Sequence, residues 1–457
     1  MGRVLFCFML LTACHGTPVS EPETGAAAAV DAVPFSLDEL QRRTFLYFWE
    51  TTDSTTNWQV HDRWPTRAFS SIAATGFGLS AYLVGIERGY ITRAQGADRV
   101  LKTLKVLAEL PQGPEAEGVS GYKGFFYHFL TLDRSLRFKQ VELSSIDTGL
   151  LMAGVLSAMT YFDGDDPVER QIRSLADFLY RRVEWDWMLK PNGRMSMGWH
   201  PETGFIENDW HGYNEAMILL IMALGSPTHP IPAESWQKWC ETYVWDEFQG
   251  FENVQFDPLF GHQYSHIWID FRGIQDDYMR SKGIDYFENS RRATLSNRAY
   301  CLANPMGWNG YGEHCWGLTA CDGPAAEKRT FRGRQVEFWT YRARGACSFQ
   351  IVDDGTIAPT AAGGSIPFAP EVCIPALEYM WNTFYHQLVG PYGFRDAFNL
   401  SYTFGEGNEK GWFDVDYIGI DQGPIVLQIE NYRTGFLWKL MKKNPYIVAG
   451  LAKAGFK

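Results

Sequence analysis

Apolar residues along this chain fall into two alternating kinds of run. The first kind is apolar on every side. Ala216-Met217-Ile218-Leu219-Leu220-Ile221-Met222-Ala223-Leu224 holds no polar residue, and Gly225 stops it. As a helix, such a run is buried all round. The small residues of Ser70-Ser71-Ile72-Ala73-Ala74-Thr75-Gly76-Phe77-Gly78-Leu79 suit a helix packed closely on both sides and ended at Gly89. Ser144-Ser145-Ile146-Asp147 opens a third such run through Leu150, Leu151, Val155 and Leu156. The second kind is amphipathic. Ser36-Leu37-Asp38-Glu39 is a capping box, with Phe35 and Leu40 as its staple, followed by a stripe of Leu37, Leu40, Thr44 and Phe48. Thr92 to Gln95 opens a helix with Val100, Leu101, Leu104 and Leu107 on one side and Arg99, Lys102 and Lys105 on the other. Asp166-Pro167-Val168-Glu169 combines a cap, a first-turn proline and a capping-box glutamate.

The alternation continues through the Trp236/Trp239 segment, His266 to Arg280, Asp285 to Ala303, Pro370 to Phe384, Pro424 to Leu440 and Tyr446 to Ala454. About twelve helices result, at roughly 60–70 residues per pair, with no legible sequence repeat. Strand signals are few. Gly124 to Leu130 with Leu136 to Lys139 predicts a hairpin around Asp133-Arg134. An open helical solenoid would show a clearer repeat. The pattern therefore predicts an all-α chain with small β-hairpin insertions in loops: one closed (α/α)6 barrel over residues 36–457. In such a ring the inner-helix ends and their loops converge on one cavity.

Ahead of that domain, Met1-Gly2-Arg3, the apolar Val4 to Leu11 and Leu11-Thr12-Ala13-Cys14 predict a lipoprotein signal peptide over residues 1–14 with Cys14 lipidated. An ordinary cleaved export signal is the alternative. Residues 15–35 are small and polar, a flexible tether. The expected place is the bacterial periplasm or outer membrane, with membrane contact through the anchor alone. Cys240, Cys301, Cys315, Cys321, Cys347 and Cys373 remain, Cys315 and Cys321 nearest in sequence. No Cys/His pattern points to zinc, so no metal is expected.

Composition narrows the function. The net charge of -12 argues against a nucleic-acid partner and fits a carboxylate-lined cleft for a neutral substrate. Aromatic residues make up 15%, enough both to fill a large core and to offer faces to sugar rings. No GxSxG, HExxH, phosphate loop or dinucleotide fingerprint is present, so no cofactor is expected.

Trp210-His211-Gly212-Tyr213-Asn214-Glu215 puts Glu215 at the positive end of a buried helix. Asn214 as a cap is the structural alternative. Asp147 has a matching position, though a capping box alone explains it. Asp421, in Gly419-Ile420-Asp421-Gln422-Gly423-Pro424, is the third such carboxylate and lacks a capping box. Paired carboxylates facing one cleft are what glycoside hydrolysis requires. The candidate catalytic residues are Glu215, Asp147 and Asp421. Candidate substrate contacts are Asp62, Arg63, Trp210, Tyr213, Asn214, His262, Gln263, His266, Trp268, Asp270, Arg272, Trp308, Glu313 and Trp316. They are planar polar groups and indoles in loops or at helix starts.

Five motifs carry a family resemblance: Ser71 to Gly78, Gly212-Tyr213-Asn214-Glu215, Gly261-His262-Gln263-Tyr264-Ser265-His266, Asp270 to Asp276 and Gly419 to Pro424. With them the chain resembles the bacterial glucoamylase-like domain family, whose characterised branch is the endo-β-1,2-glucanases of glycoside hydrolase family 144. The resemblance implies an (α/α)6 barrel, anomeric inversion, no metal, and β-1,2-glucan or its oligosaccharides as substrate. It marks Asp147 and Glu215 as the essential acidic residues and Asp421 as a base candidate. A monomer is expected. The rival readings are another glucan-active enzyme, a non-catalytic sugar-binding lipoprotein, and a polysaccharide lyase on a similar toroid. The lyase would need basic neutralising groups, which the net charge disfavours.

Overall fold

Helices start where a polar side chain takes up free backbone N–H groups. Ser36 accepts from Glu39, Ser71 from Ala74, Thr92 from Gln95, Ser144 from Asp147, and Asp166 from Val168 and Glu169. The computed structural model describes residues 32–457. The export signal, Cys14 and most of the tether lie outside the described residues. Among the described residues, no helix is long and apolar enough to cross a membrane.

The helices form two concentric rings. Leu37–Glu50, Arg93–Glu109, Pro167–Arg181, Glu234–Cys240, Tyr286–Ala303 and Pro370–Thr383 form the outer ring. Ile72–Glu87, Ser145–Tyr161, Ala216–Gly225, Ser265–Trp268, Pro359–Gly363 and Gly419–Thr434 form the inner one. The first four inner helices pack in sequence, Gly419–Thr434 packs against both Ser265–Trp268 and Pro359–Gly363, and it closes on Ile72–Glu87. This is the expected (α/α)6 arrangement. Every residue from Ile72 to Gly85 and from Ala216 to Gly225 is buried, whereas Arg93–Glu109 buries only one side. The first two inner helices meet backbone to backbone. A Cβ on Gly76 would stand 2.3 Å from the Leu150 carbonyl oxygen, and one on Gly154 would stand 2.1 Å from that of Gly76.

Two segments depart from the sequence pattern. His266 to Arg280 is not one helix. One turn, Ser265–Trp268, is followed by extended Ile269, and the next helix is Asp277–Lys282. Asp270 accepts from the Arg272 N–H and guanidinium, and Gly273 has φ +73. Such local side-chain bonding competes with helical pairing. The final inner helix starts at Gly419, ahead of Pro424, and Gly435 at φ +64 separates it from Phe436–Met441. Pro424 has no N–H to give the Ile420 carbonyl. That oxygen instead faces the Tyr264 hydroxyl at 3.5 Å.

Short strand pairs stitch the loops at the inner-helix starts. Ser70–Ser71 pairs with Phe129–Leu130, Leu143–Ser144 with Gly198–His200, and Arg63–Trp64 with Tyr417–Ile418. The expected hairpin is present only as a Leu130↔Arg137 bridge around Asp133-Arg134, because Phe125–Phe126 turns back on Gly121–Tyr122. The six described cysteines are all free and buried.

Candidate active site

Glu215 stands immediately ahead of Ala216–Gly225. Its backbone carbonyl accepts from the Ser265 hydroxyl at 3.1 Å, and Ser265 Oγ in turn accepts from the Ile218 N–H at 3.0 Å, so two inner-helix starts share one hydroxyl. The side chain is 8% exposed, and Oε2 has no hydrogen-bond partner among the described residues. Burial pushes its carboxyl up to about 8, and the nearby Asp147 charge adds to the rise. At neutral pH Glu215 is therefore a buried proton carrier with a free oxygen.

Asp147 occupies the first turn of Ser145–Tyr161. Its N–H donates to Ser144 Oγ at 3.2 Å, and that hydroxyl donates to Asp147 Oδ2 at 2.5 Å. Capping and site chemistry thus share one residue. The other oxygen, Oδ1, lies 3.4 Å from His128 Nε2, while His128 Nδ1 lies 2.8 Å from Glu142 Oε1. Burial raises the Asp147 carboxyl and His128 opposes that rise. Burial also disfavours a charge on His128, but Asp147, Glu142 and Asp62 outweigh it and raise the imidazole to about 10. His128 is an imidazolium at neutral pH.

Asp421 lies in the first turn of Gly419–Thr434 at 2% exposure, with Oδ2 unpartnered among the described residues. Burial pushes its carboxyl up to about 8, and the Asp396 carboxyl is its side-chain hydrogen-bonding partner. Burial and Asp421 push Asp396 well above the usual range. The Asp421 charge therefore favours the neutral form of Asp396. Arg63 answers the surrounding acidity: it lies 3.1 Å from Asp62, 2.6 Å from Asp322 and 3.9 Å from Asp416. Asp414 is pushed up to about 9, first by burial and then by Asp322 and Asp396. Tyr264 joins the two halves. Burial raises its phenol, as do the charges of Asp421, Tyr341 and Glu215.

Two triads among the described residues have the spacing to hold a cation. The ligand atoms of His128, Glu142 and Asp147, and those of Asp322, Asp396 and Asp414, lie within 4.8 Å of one another. In the first, the imidazole is bound to both carboxylates; in the second, Arg63 already engages Asp322.

Of the residues expected from sequence, the structure brings together Glu215, Asp147, Asp421, Asp62 and Arg63. Others support the cluster from behind. Trp210 is buried and donates from Nε1 to Ser145 Oγ at 2.8 Å. Asn214 caps the Glu215 helix by accepting from the Ala216 N–H. Tyr213 is buried against His262 and Tyr286. His262 contacts the Phe256 carbonyl, and burial lowers its imidazole to about 4. Gln263 donates to the Ala361 carbonyl and Ser365 Oγ, and Trp268 donates to Ser80 Oγ. His266 contacts Ser290 Oγ among phenylalanine rings, and burial lowers it to about 3.

The structure leaves five outside the cluster. Asp270 pairs with Arg272 and Lys442, beside the Phe436–Met441 helix and away from the first turn of Gly419–Thr434. Trp308 is buried in a satellite core and donates to Asp353 at 2.8 Å. Trp316 is in the main core, and Glu313 is an exposed partner of Arg298. Sequence reasoning missed His128, Glu142, Asp322, Asp396 and Tyr264. Tyr264 lay inside a quoted motif, but the others acquire a role only through strand pairing between distant loops.

Comparison with known proteins follows the same lines. The Glycoamylase (glucoamylase) family model matches residues 207–445. The exo β-1,2-glucooligosaccharide sophorohydrolase (non-reducing end) of Parabacteroides distasonis is 31% identical over 451 residues. That match covers 91% of this chain and 57% of the relative, so the chain spans little more than half of that protein's length. The endo-β-1,2-glucanase of Chitinophaga pinensis, solved with sophorotriose and glucose, is 30% identical with a TM-score of 0.79, covering 93% of this chain and 99% of that one. The β-1,2-glucanase structure from Parabacteroides distasonis is 30% identical with a TM-score of 0.78, covering 92% and 59%. With a family model over half its length and a solved relative covered nearly end to end, this chain belongs to the glucoamylase-like Glycoamylase family.

Proposed function

We propose that the protein is a glycoside hydrolase that cleaves β-1,2-glucan or its oligosaccharides by acid–base catalysis with inversion. The observation that carries the reading is Glu215: buried, protonated at neutral pH, with an unpartnered oxygen, beside a second carboxylate. Those are the properties of a general acid that protonates a departing glycosidic oxygen. The substrate class follows the relatives' names and the cluster of carboxylates, which suits a neutral substrate.

Inversion needs an ionised carboxylate to take the proton of the attacking water. Asp147 lies 3.4 Å from the His128 imidazolium, which favours its charged form, whereas Asp421 is pushed up to about 8 and has the Asp396 carboxyl as its hydrogen-bonding partner. The geometry favours Asp147 as the proton acceptor. Asp421 then donates a hydrogen bond to a sugar hydroxyl, and Arg63 with Asp62 offers further polar contacts.

The test is incubation with linear β-1,2-glucan beside starch and other β-glucans, followed by product sizing and ¹H NMR of the first product. Oligosaccharides from β-1,2-glucan alone, released as the α-anomer, are expected. Glu215→Gln should lower turnover by about 10²–10⁴-fold, the usual weight of a general acid. Cleavage of α-glucan only, or a nearly fully active variant, would sink the assignment.

We further propose that the enzyme acts as a monomer tethered by lipidated Cys14 in the periplasm or at the outer membrane. The Leu11-Thr12-Ala13-Cys14 pattern supports this. In an expressing bacterium, radiolabelled palmitate should enter the full chain and not Cys14→Ala; equal labelling of both would refute the anchor.

A further inference from the structure

His128 is the cation that faces Asp147, 3.4 Å from its Oδ1, and its place is fixed from several sides. Its N–H donates to the Glu142 carbonyl at 3.0 Å, and its own carbonyl accepts from the Ile72 N–H at 3.4 Å. Its ring stacks on Phe129 with centroids 3.9 Å apart. Nδ1 faces Glu142 Oε1 at 2.8 Å and Nε2 faces Asp147 Oδ1 at 3.4 Å. A neutral imidazole has one N–H, so only the doubly protonated ring can donate to both carboxylates. Ser144 Oγ covers the second Asp147 oxygen at 2.5 Å, so the carboxylate is held at both ends.

We propose that His128 is a positioning residue: clamped between Glu142 and Asp147, its imidazolium holds Asp147 ionised and oriented, and thereby keeps the site's proton on Glu215. The inference rests on the reading of Asp147 as the ionised partner of Glu215. The charged groups around the ring set the balance. Asp147 faces it from the inner helix, Glu142 from the loop ahead of Leu143–Ser144, and Asp62 from the loop ahead of Arg63–Trp64. Behind Glu142 stand His200 and then Arg137, which lies 3.3 Å from His200 Nδ1 and 2.7 Å from Glu202. The three carboxylates nearest the ring outnumber its single charge, so the imidazolium is strongly favoured.

Two variants move the Asp147 carboxyl in opposite directions. His128→Gln removes the counter-charge and leaves Asp147 buried between Glu142 and Glu215. Glu142→Gln keeps the imidazolium and removes a repelling charge. In His128→Gln, the acid limb of the kcat pH profile should rise by about one to three pH units, the usual effect of a lost opposite charge. The value of kcat should fall about tenfold or more with KM little changed. In Glu142→Gln the acid limb should move down. An unmoved acid limb in His128→Gln, or the same direction of movement in both variants, would overturn the proposal.

Histidine-labelled NMR of the intact protein supplies a readout that needs no substrate. The His128 ring should stay doubly protonated past pH 9, and loss of its second proton between pH 6 and 7.5 would also overturn the proposal. If β-1,2-glucan proves not to be the substrate, that titration still decides the role of His128. If His128→Gln fails to fold, Glu142→Gln and the wild-type titration decide it.

Discussion

Glu215 shows what a functional residue costs the fold. Burial raises its carboxyl from the ordinary 4.5 to about 8. The native state therefore holds a proton that the unfolded chain releases above about 4.5. By linkage, stability falls as pH rises between those two values, because the native state binds more protons there. At about 1.4 kcal/mol per pH unit, the ceiling is on the order of 4 kcal/mol by pH 8. Glu215→Gln keeps the shape and removes the titration. Its melting temperature should match the wild type near pH 4.5 and exceed it increasingly up to pH 8. A constant offset across that range would show that the carboxyl is not raised in the folded protein. Glu215, Asp147 and Asp421 were legible in the sequence because each stands beside a recognisable helix start. His128 and Asp396 were not: neither sits in a helical pattern, and each meets its carboxylate partner from a different loop.

The helices were legible to the extent that their determinants are local. Ser36, Thr92, Ser144 and Asp166 cap the helices that their spacing predicts. The all-apolar run after Glu215 is buried all round, as its pattern requires. Where a single side chain diverts the backbone, the pattern misleads. Asp270 breaks the His266 to Arg280 segment, and Gly435 splits the last long one. The quoted polar motifs misled for a related reason. His262, Gln263, His266 and Trp268 are rich in hydrogen-bonding groups, yet their polar atoms meet protein groups such as Ser365, Ser290 and Ser80. A closed ring of helices leaves backbone carbonyls and hydroxyls inside its wall, and buried polar groups must be paired there. Periodicity does not distinguish a polar residue that serves the wall from one that faces the cleft.

At the scale of the whole molecule, the cleft exists only because the ring closes. Asp62, His128, Asp147, Glu215, Tyr264 and Asp421 come from segments spread over most of the chain. Strand pairing of Arg63–Trp64 with Tyr417–Ile418 joins its two ends on the cleft side. Farther along the last inner helix, Glu430 is a second clasp. It accepts from Gln41 of the first outer helix at 3.0 Å and from Arg88, at the end of the first inner helix, at 2.6 and 3.0 Å. Glu430 is 2% exposed, so those partners take the place of water around its carboxylate. Breaking a buried ion pair costs about 3–5 kcal/mol, and the Arg88 side chain, 25% exposed, lowers that figure. Glu430→Gln should therefore destabilise the protein by about 2 kcal/mol while leaving kcat per folded molecule unchanged, since no cleft residue touches it. Because the clasp joins the first and last elements of one ring, the loss should shift a single cooperative unfolding transition, followed together by far-UV circular dichroism and tryptophan fluorescence. Separate transitions in the two signals would mean that the ends close independently of the cleft.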